Sequence, residues 1–179
     1  MHKPTHSVVI AIKRIFRYLA GTPTLSITYN RNPQEIINST QIITGFADAT
    51  WGAWESDIET TLRSTSGHIH KLCNGPVAWG STLQRGRPAQ SSAEAEYIAA
   101  YHCATTTLYL KNLLEDLGIK SSQEPITIHD DSDACIGMSK NPVNHKNNKH
   151  IMLKYHWVRQ LTFEGIICLK KIDTTNNIA

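Results

Sequence analysis

Residues 91–103 read SSAEAEYIAAYHC, and the two acids near the start of this otherwise apolar helical stretch decide how the rest of the chain is arranged. Ser91 or Ser92 can cap a helix, and Glu94 suits a helix start, where a carboxylate meets the positive end of the helix dipole. Tyr97, Ala100, Tyr101, Ala104, Leu108 and Leu114 continue an apolar surface, which predicts a helix from about Ser92 to Leu117, ended by Gly118. Glu96 therefore lies close to the core. Two readings of it stand at this point: a second capping acid, or one member of a group of converging acids.

Working outward, the segment before the helix reads as strands. QIITGFADATW, residues 41–51, is a strand whose apolar run ends at Asp48. TSGHIHKLCNGPVAWGST, residues 65–82, reads as two strands about Asn74-Gly75, with Pro76 favouring a loop slightly longer than a tight turn. After the helix, PITIHDDSDACIGMSKN predicts a buried strand over Ile126–His129 and a short helix that Pro142 closes. KHIMLKYHWVRQLTFEG is helical as far as Gly165, and IICLKKI is a last strand. This order predicts an α/β domain: one mixed sheet of about five strands, antiparallel first and with helix crossovers afterwards.

The amino end differs in character. Lys13, Arg14 and Arg17 interrupt apolar residues at helical spacing, which makes an amphipathic helix over about Ser7–Ala20 and not a signal peptide. LSITYN, residues 25–30, reads as a short strand, and the polar RNPQEIINST that follows places a domain boundary near residue 41, dividing the chain into 1–40 and 41–179. With 179 residues, 40% hydrophobic and 18% charged, the chain has the composition of a soluble globular protein with a proper core. No apolar run is long enough to span a membrane. Cys73, Cys103, Cys135 and Cys168 form no CxxC pair, so reduced thiols inside a cell are expected rather than zinc or disulfides. The net charge of +3 is a weak sign of polyanion binding, and the placement of basic residues matters more than their sum.

Three acids stand where the chain leaves or enters regular structure: Asp48, Glu96 and Asp131. Close carboxylates repel one another unless a cation neutralises them, and hard divalent ions prefer carboxylate oxygens. Two such ions about 4 Å apart can activate a water and stabilise a leaving oxygen in phosphodiester cleavage. The alternative is that each acid is a simple turn former.

The motifs IKRIFRYLAGT, GFADATWG, RSTSGHIHKLCNGPVAWGSTLQ, SSAEAEYIAA and KNPVNHKNNKHIMLKYHWVRQ, in this order and spacing, resemble the carboxy-terminal part of a copia-type retrotransposon Pol polyprotein. The resemblance covers nearly the whole chain. It implies that residues 1–40 end a reverse transcriptase and that 41–179 form a ribonuclease H domain, which hydrolyses the RNA strand of an RNA–DNA hybrid with two magnesium ions, manganese being an alternative. It implies that Asp48, Glu96 and Asp131 are the catalytic, metal-holding acids, with Asp130 in a place usually held by an uncharged residue. Thr50 replaces the second acid of a DAD-like motif. Family members continue with a segment like NIAD, whose aspartate is a fourth ligand and opens a final helix, whereas this sequence reads to Ile178-Ala179. From that, the expectation is a domain without its final helix and an enzyme impaired by the missing carboxylate, or an inactive transposon remnant that at most binds nucleic acid. Asp173 is not expected to substitute. An integrase-like strand-transfer domain is disfavoured by the position of AEAEY directly after the strands.

Ser64, Thr65 and Ser66 offer hydroxyls for phosphate or 2′-OH contacts, and Arg85 and Arg87 add charge; a polar strand edge and a solvated loop explain the same residues. His150 lies in a KHI motif that suits either the nucleic acid or helix packing, and His145, His150 and His156 lack the spacing of a zinc site. Trp51, Trp79 and Trp157 are read as core. The expected partners are an RNA–DNA hybrid and the reverse-transcriptase part of the same polyprotein, with no membrane, in a cytoplasmic particle or the nucleus.

Overall fold

The computed structural model describes residues 5–29, 42–52, 63–119, 124–140 and 149–179, with 149–152 and 155 in backbone only. In chain order the elements are α1 (His6–Gly21), β1 (Ile43–Thr50), β2 (Thr65–Leu72), β3 (Gly75–Leu83), α2 (Ser92–Asp116), β4 (Ile126–Asp130), α3 (Asp133–Lys140), α4 (Lys149–Phe163), β5 (Ile167–Lys171) and a 3-10 turn, Thr174–Asn176. The strands form one five-stranded sheet in the order β3-β2-β1-β4-β5. β1, β2 and β3 pair antiparallel, and β4 lies parallel to both β1 and β5. This is the mixed sheet that the order of the segments predicts.

α2 lies on one face of the sheet because alternate residues of β1 are small or apolar there. Ala47 joins Tyr97, Ala100, Cys103 and Ala104 of α2 and Ile128 of β4 in the main core. Gly45 favours the close approach: a Cβ at this position would lie 3.0 Å from Cys103 Sγ, so a larger residue would require the helix side to give by a few tenths of an ångström. Burying the core removes apolar surface from water at roughly 25 cal/mol per Å², the main force holding helix to sheet. On the opposite face, Trp79, Ile69, Phe46, His129 and Lys170 form one row across all five strands. Phe46 and His129 stack there at 5.0 Å.

The hairpin turns more tightly than Pro76 suggests. Cys73 and Asn74 both have positive φ, 49° and 67°, as in a two-residue type I′ turn, so the turn sits one residue earlier than the Asn-Gly signal. Pro76 is tolerated because β3 is an edge strand, and the ladder shifts register between His70 and Lys71. LSITYN is not a strand over the part described: Leu25–Tyr29 join no ladder, although the Tyr29 hydroxyl donates to Pro76 O at 2.9 Å. α1 buries none of its residues, and Val9, Ile12, Phe16 and Leu19 are exposed. Trp51 and Trp79 are exposed as well, contrary to the core reading; only Trp157 packs against the main core. The boundary near residue 41, Pro142 and His145 lie outside the described residues.

Candidate metal centre

β1 carries Asp48 to the edge of the core, where the strand nears its end, and parallel β4 delivers Asp131 one residue beyond its own end. α2 brings Glu96 over the same edge. Ser91 fixes the start of that helix by accepting from Glu94 N–H at 3.1 Å, while Glu94 Oε2 accepts from Gln90 N–H at 2.7 Å. This reciprocal cap spends Glu94 on the helix start and leaves Glu96 pointing inward. One carboxylate oxygen from each of Asp48, Glu96 and Asp131 lies within 4.8 Å of the others. The three predicted acids are thus brought together.

Their electrostatics are those of a site built for a positive charge. Glu96 is only 8% exposed, and its Oε2 has no hydrogen-bond partner among the described residues. Burial, then the negative charges of Asp130, Asp48 and Asp131, push its carboxyl up to about 8, with the Ala49 amide pulling the other way. Asp48 is also raised, by burial and then by Asp131. A buried, unpartnered carboxylate is costly, and a hard divalent cation relieves both the desolvation and the repulsion. The residues present fit such an ion.

Asp131 is held from its far side. Thr174 Oγ1 donates to its Oδ2 at 2.6 Å, and Lys171, which also pairs with Asp133 at 3.0 Å, donates to its carbonyl. Parallel pairing sets Lys171 opposite Asp130, which is why β5 reaches this corner. Asn177 Nδ2 donates to Ala47 O at 2.8 Å and lays the 3-10 turn across the end of β1. Ala179 then lies beside Gly67, lining with Asp48, Trp79 and Ser81 a cleft of about 290 Å³.

Asp130 has a part that the motif reading did not give it. The alternation Ile126, Ile128, Asp130 turns it inward, where it is fully buried; Cys135 Sγ donates to its Oδ2 at 3.1 Å and Ser132 N–H to its Oδ1 at 2.8 Å. Burial pushes its carboxyl up to about 6, against those two donors. The period-two pattern is the signal that finds it.

The substrate-facing residues separate. Ser64 and Ser66 are 1% and 0% exposed, so their hydroxyls do not face solvent, and Ser66 Oγ accepts from Gln84 Nε2 at 2.9 Å. The same alternation turns these serines toward α2, where Gln84 also donates to Ala95 O. Thr65 is half-buried and lines the cleft by Asp48, while Arg85 and Arg87 are exposed. His150 belongs to α4 by its backbone; its side chain lies outside the described residues. Trp51 braces the rim, its Nε1 donating to Ala89 O at 3.0 Å.

No family model matches the chain. The Pol polyprotein from transposon RE1 of Arabidopsis thaliana is 32% identical over 179 residues, 100% of this chain and 11% of that protein. That from transposon TNT 1-94 of Nicotiana tabacum is 33% identical over 169 residues, 94% of this chain and 12% of that protein. The chain is homologous to copia-type transposon Pol polyproteins. It spans about a tenth of the length of these relatives. Among solved structures, LC11-RNase H1 from compost superposes with a TM-score of 0.52 at 14% identity, covering 76% of this chain and 88% of that one. The same enzyme in complex with RNA/DNA hybrid gives 0.50 at 12% identity, over the same shares. Prototype foamy virus protease–reverse transcriptase gives 0.54 at 14% identity, covering 78% of this chain and 18% of that one. The Pol-like chain therefore has a ribonuclease H-like fold.

Proposed function

We propose that residues 41–179 are the ribonuclease H domain of a copia-type Pol polyprotein, hydrolysing the RNA strand of RNA–DNA hybrids with magnesium or manganese held by Asp48, Glu96 and Asp131. The observation that carries this is the convergence of three carboxylates within 4.8 Å around the unpartnered Glu96 Oε2, on a ribonuclease H-like fold. Bound there, a divalent cation would supply Lewis-acid activation of water and neutralise charge at the leaving oxygen.

The chain's own groups set the geometry. Glu96, buried and fixed by the helix start, is the inner wall of the site. Asp48 and Asp131 are half-buried members of the cluster, and Asp48 also lines the cleft. Thr174 holds the Asp131 carboxylate and Lys171 its main-chain carbonyl. The hybrid bound to LC11-RNase H1 supports the same class of substrate here. Residues 1–40, with the exposed apolar side of α1, are the end of the reverse-transcriptase part of the polyprotein and its contact with that part.

The test is cleavage of a labelled RNA–DNA hybrid with magnesium, beside Asp48→Asn and beside a form with an aspartate appended after Ala179. Cleavage that falls at least about 100-fold in Asp48→Asn supports the assignment, since disturbing even the residues around a metal ligand costs 10- to 100-fold. Greater activity in the appended form means that a fourth carboxylate completes the site. Hybrid binding with no cleavage in either form favours the binding-only reading.

A further inference from the structure

A second cleft, of about 620 Å³, opens between the ends of β2 and β3 and the flank of α2. Its charges are opposite in sign to those of the metal centre. Arg63 comes from the loop before β2, Arg85 from the loop after β3 and Lys154 from α4, and no acidic side chain lines it among the described residues. His68, His102 and Thr106 fill the wall between them. Burial holds both imidazoles below their ordinary value, with Lys154 adding to the effect on His102, so at neutral pH the charge of the cleft is that of the three cations.

The arrangement of the two arginines is informative. Thr65 pairs with Leu83, and Gln84 N–H donates to Ser64 O at 2.8 Å, so the antiparallel register continues past the strands. Arg63 and Arg85 each lie one residue beyond that last contact, and both line the cleft. Like charges lining one cleft repel, and both residues are exposed, so packing does not explain their placement. An anion between them reverses the sign of that interaction. A cleft of this volume, with cations from three separate elements, exceeds one small oxyanion and suits successive phosphates of a strand.

We propose that this cleft is a phosphodiester-binding site, separate from the carboxylate cluster, which grips the backbone of a nucleic-acid strand beside α2. In one respect it rests on the proposed function: the strand is taken to belong to the same hybrid.

The experiment is anisotropy of a fluorescent RNA–DNA hybrid in EDTA over a range of salt, with the 179-residue chain, Arg63→Gln, Arg85→Gln, the double variant and Lys154→Gln. Binding without divalent ions separates this idea from cleavage. Each lost cation is expected to reduce the slope of log affinity against log salt by about one. Lys154 also sits 5.1 Å over the Tyr101 ring, so the exposed arginines are the cleaner test and melting curves check that all variants fold. Unchanged affinity and slope in the double variant would overturn the proposal. Displacement of the hybrid by low-millimolar orthophosphate, but not by chloride at equal ionic strength, would mark a small-anion site and overturn it too.

Discussion

At the scale of the residue, Glu96 carries the most information. Its carboxyl is buried, faces Asp130, Asp48 and Asp131, and is pushed up to about 8. Without a cation its ionised form destabilises the fold, so a group assigned to the proposed metal site is one that the metal-free protein would be better without. Glu96→Gln is expected to stabilise the metal-free protein at pH 8.5 by on the order of 1–3 kcal/mol, because a neutral amide removes a buried charge and its repulsion by the neighbouring carboxylates. The same change is expected to abolish cleavage. Urea unfolding in EDTA checks the first half; a destabilised Glu96→Gln would mean that the glutamate is held by something other than a metal. Asp130 differs, since its two carboxylate oxygens already accept from Cys135 and Ser132.

Among the elements, the start of α2 determines whether the site exists. Ser91→Ala removes the acceptor for Glu94 N–H and should cost about 1 kcal/mol, as such caps do. Because Glu96 follows within the next turn, cleavage is expected to fall more than the loss of folded protein explains, and activity per folded molecule, with folding followed by circular dichroism, decides it. This helix and β1 were legible in the sequence because apolar periodicity and capping residues agree there, and the three acids were legible because a family resemblance fixed their register. Other features were hidden for physical reasons. Leu25–Tyr29 have strand-like composition but no ladder partner, and only the ladder makes a strand. The exposure of Trp79 follows from β3 being at the sheet edge, which composition does not disclose. Ser64 and Ser66 are polar by type, yet alternation turns them inward onto Gln84 and α2. Thr174 and Lys171 support Asp131 through a pairing some forty residues distant in sequence, which no local signal encodes.

For the whole molecule, the opposing titrations of its buried groups predict how stability depends on pH and metal. His70, bonded to Thr107 and Cys103, is held down to about 4, chiefly by burial, and burial lowers His68, His102 and His129 as well. A base with a depressed folded value gives stability that is present above its unfolded value, near 6.5, and lost as the pH falls. Glu96 works in the other direction. Its folded value near 8 exceeds its unfolded value near 4.5, so the unfolded chain holds fewer protons between these limits and stability drops as the pH rises through them. Asp130, raised to about 6, adds to that drop at its lower end. The two effects oppose each other up to about pH 7.5, one unit above the unfolded imidazole value, beyond which the imidazoles are neutral in both states and Glu96 lowers stability, joined toward pH 9 by the thiols of Cys103 and Cys135, which burial raises. The melting temperature in EDTA is therefore expected to fall between pH 7.5 and 8.5, and millimolar magnesium or manganese to raise it more at pH 8.5 than at 6.5, because a cation binds the ionised cluster of the folded state. Asp48→Asn should weaken the response to metal while leaving the acid-side loss due to the histidines in place. An equal metal effect at pH 6.5 and 8.5 would mean that the three carboxylates do not act as one cation site.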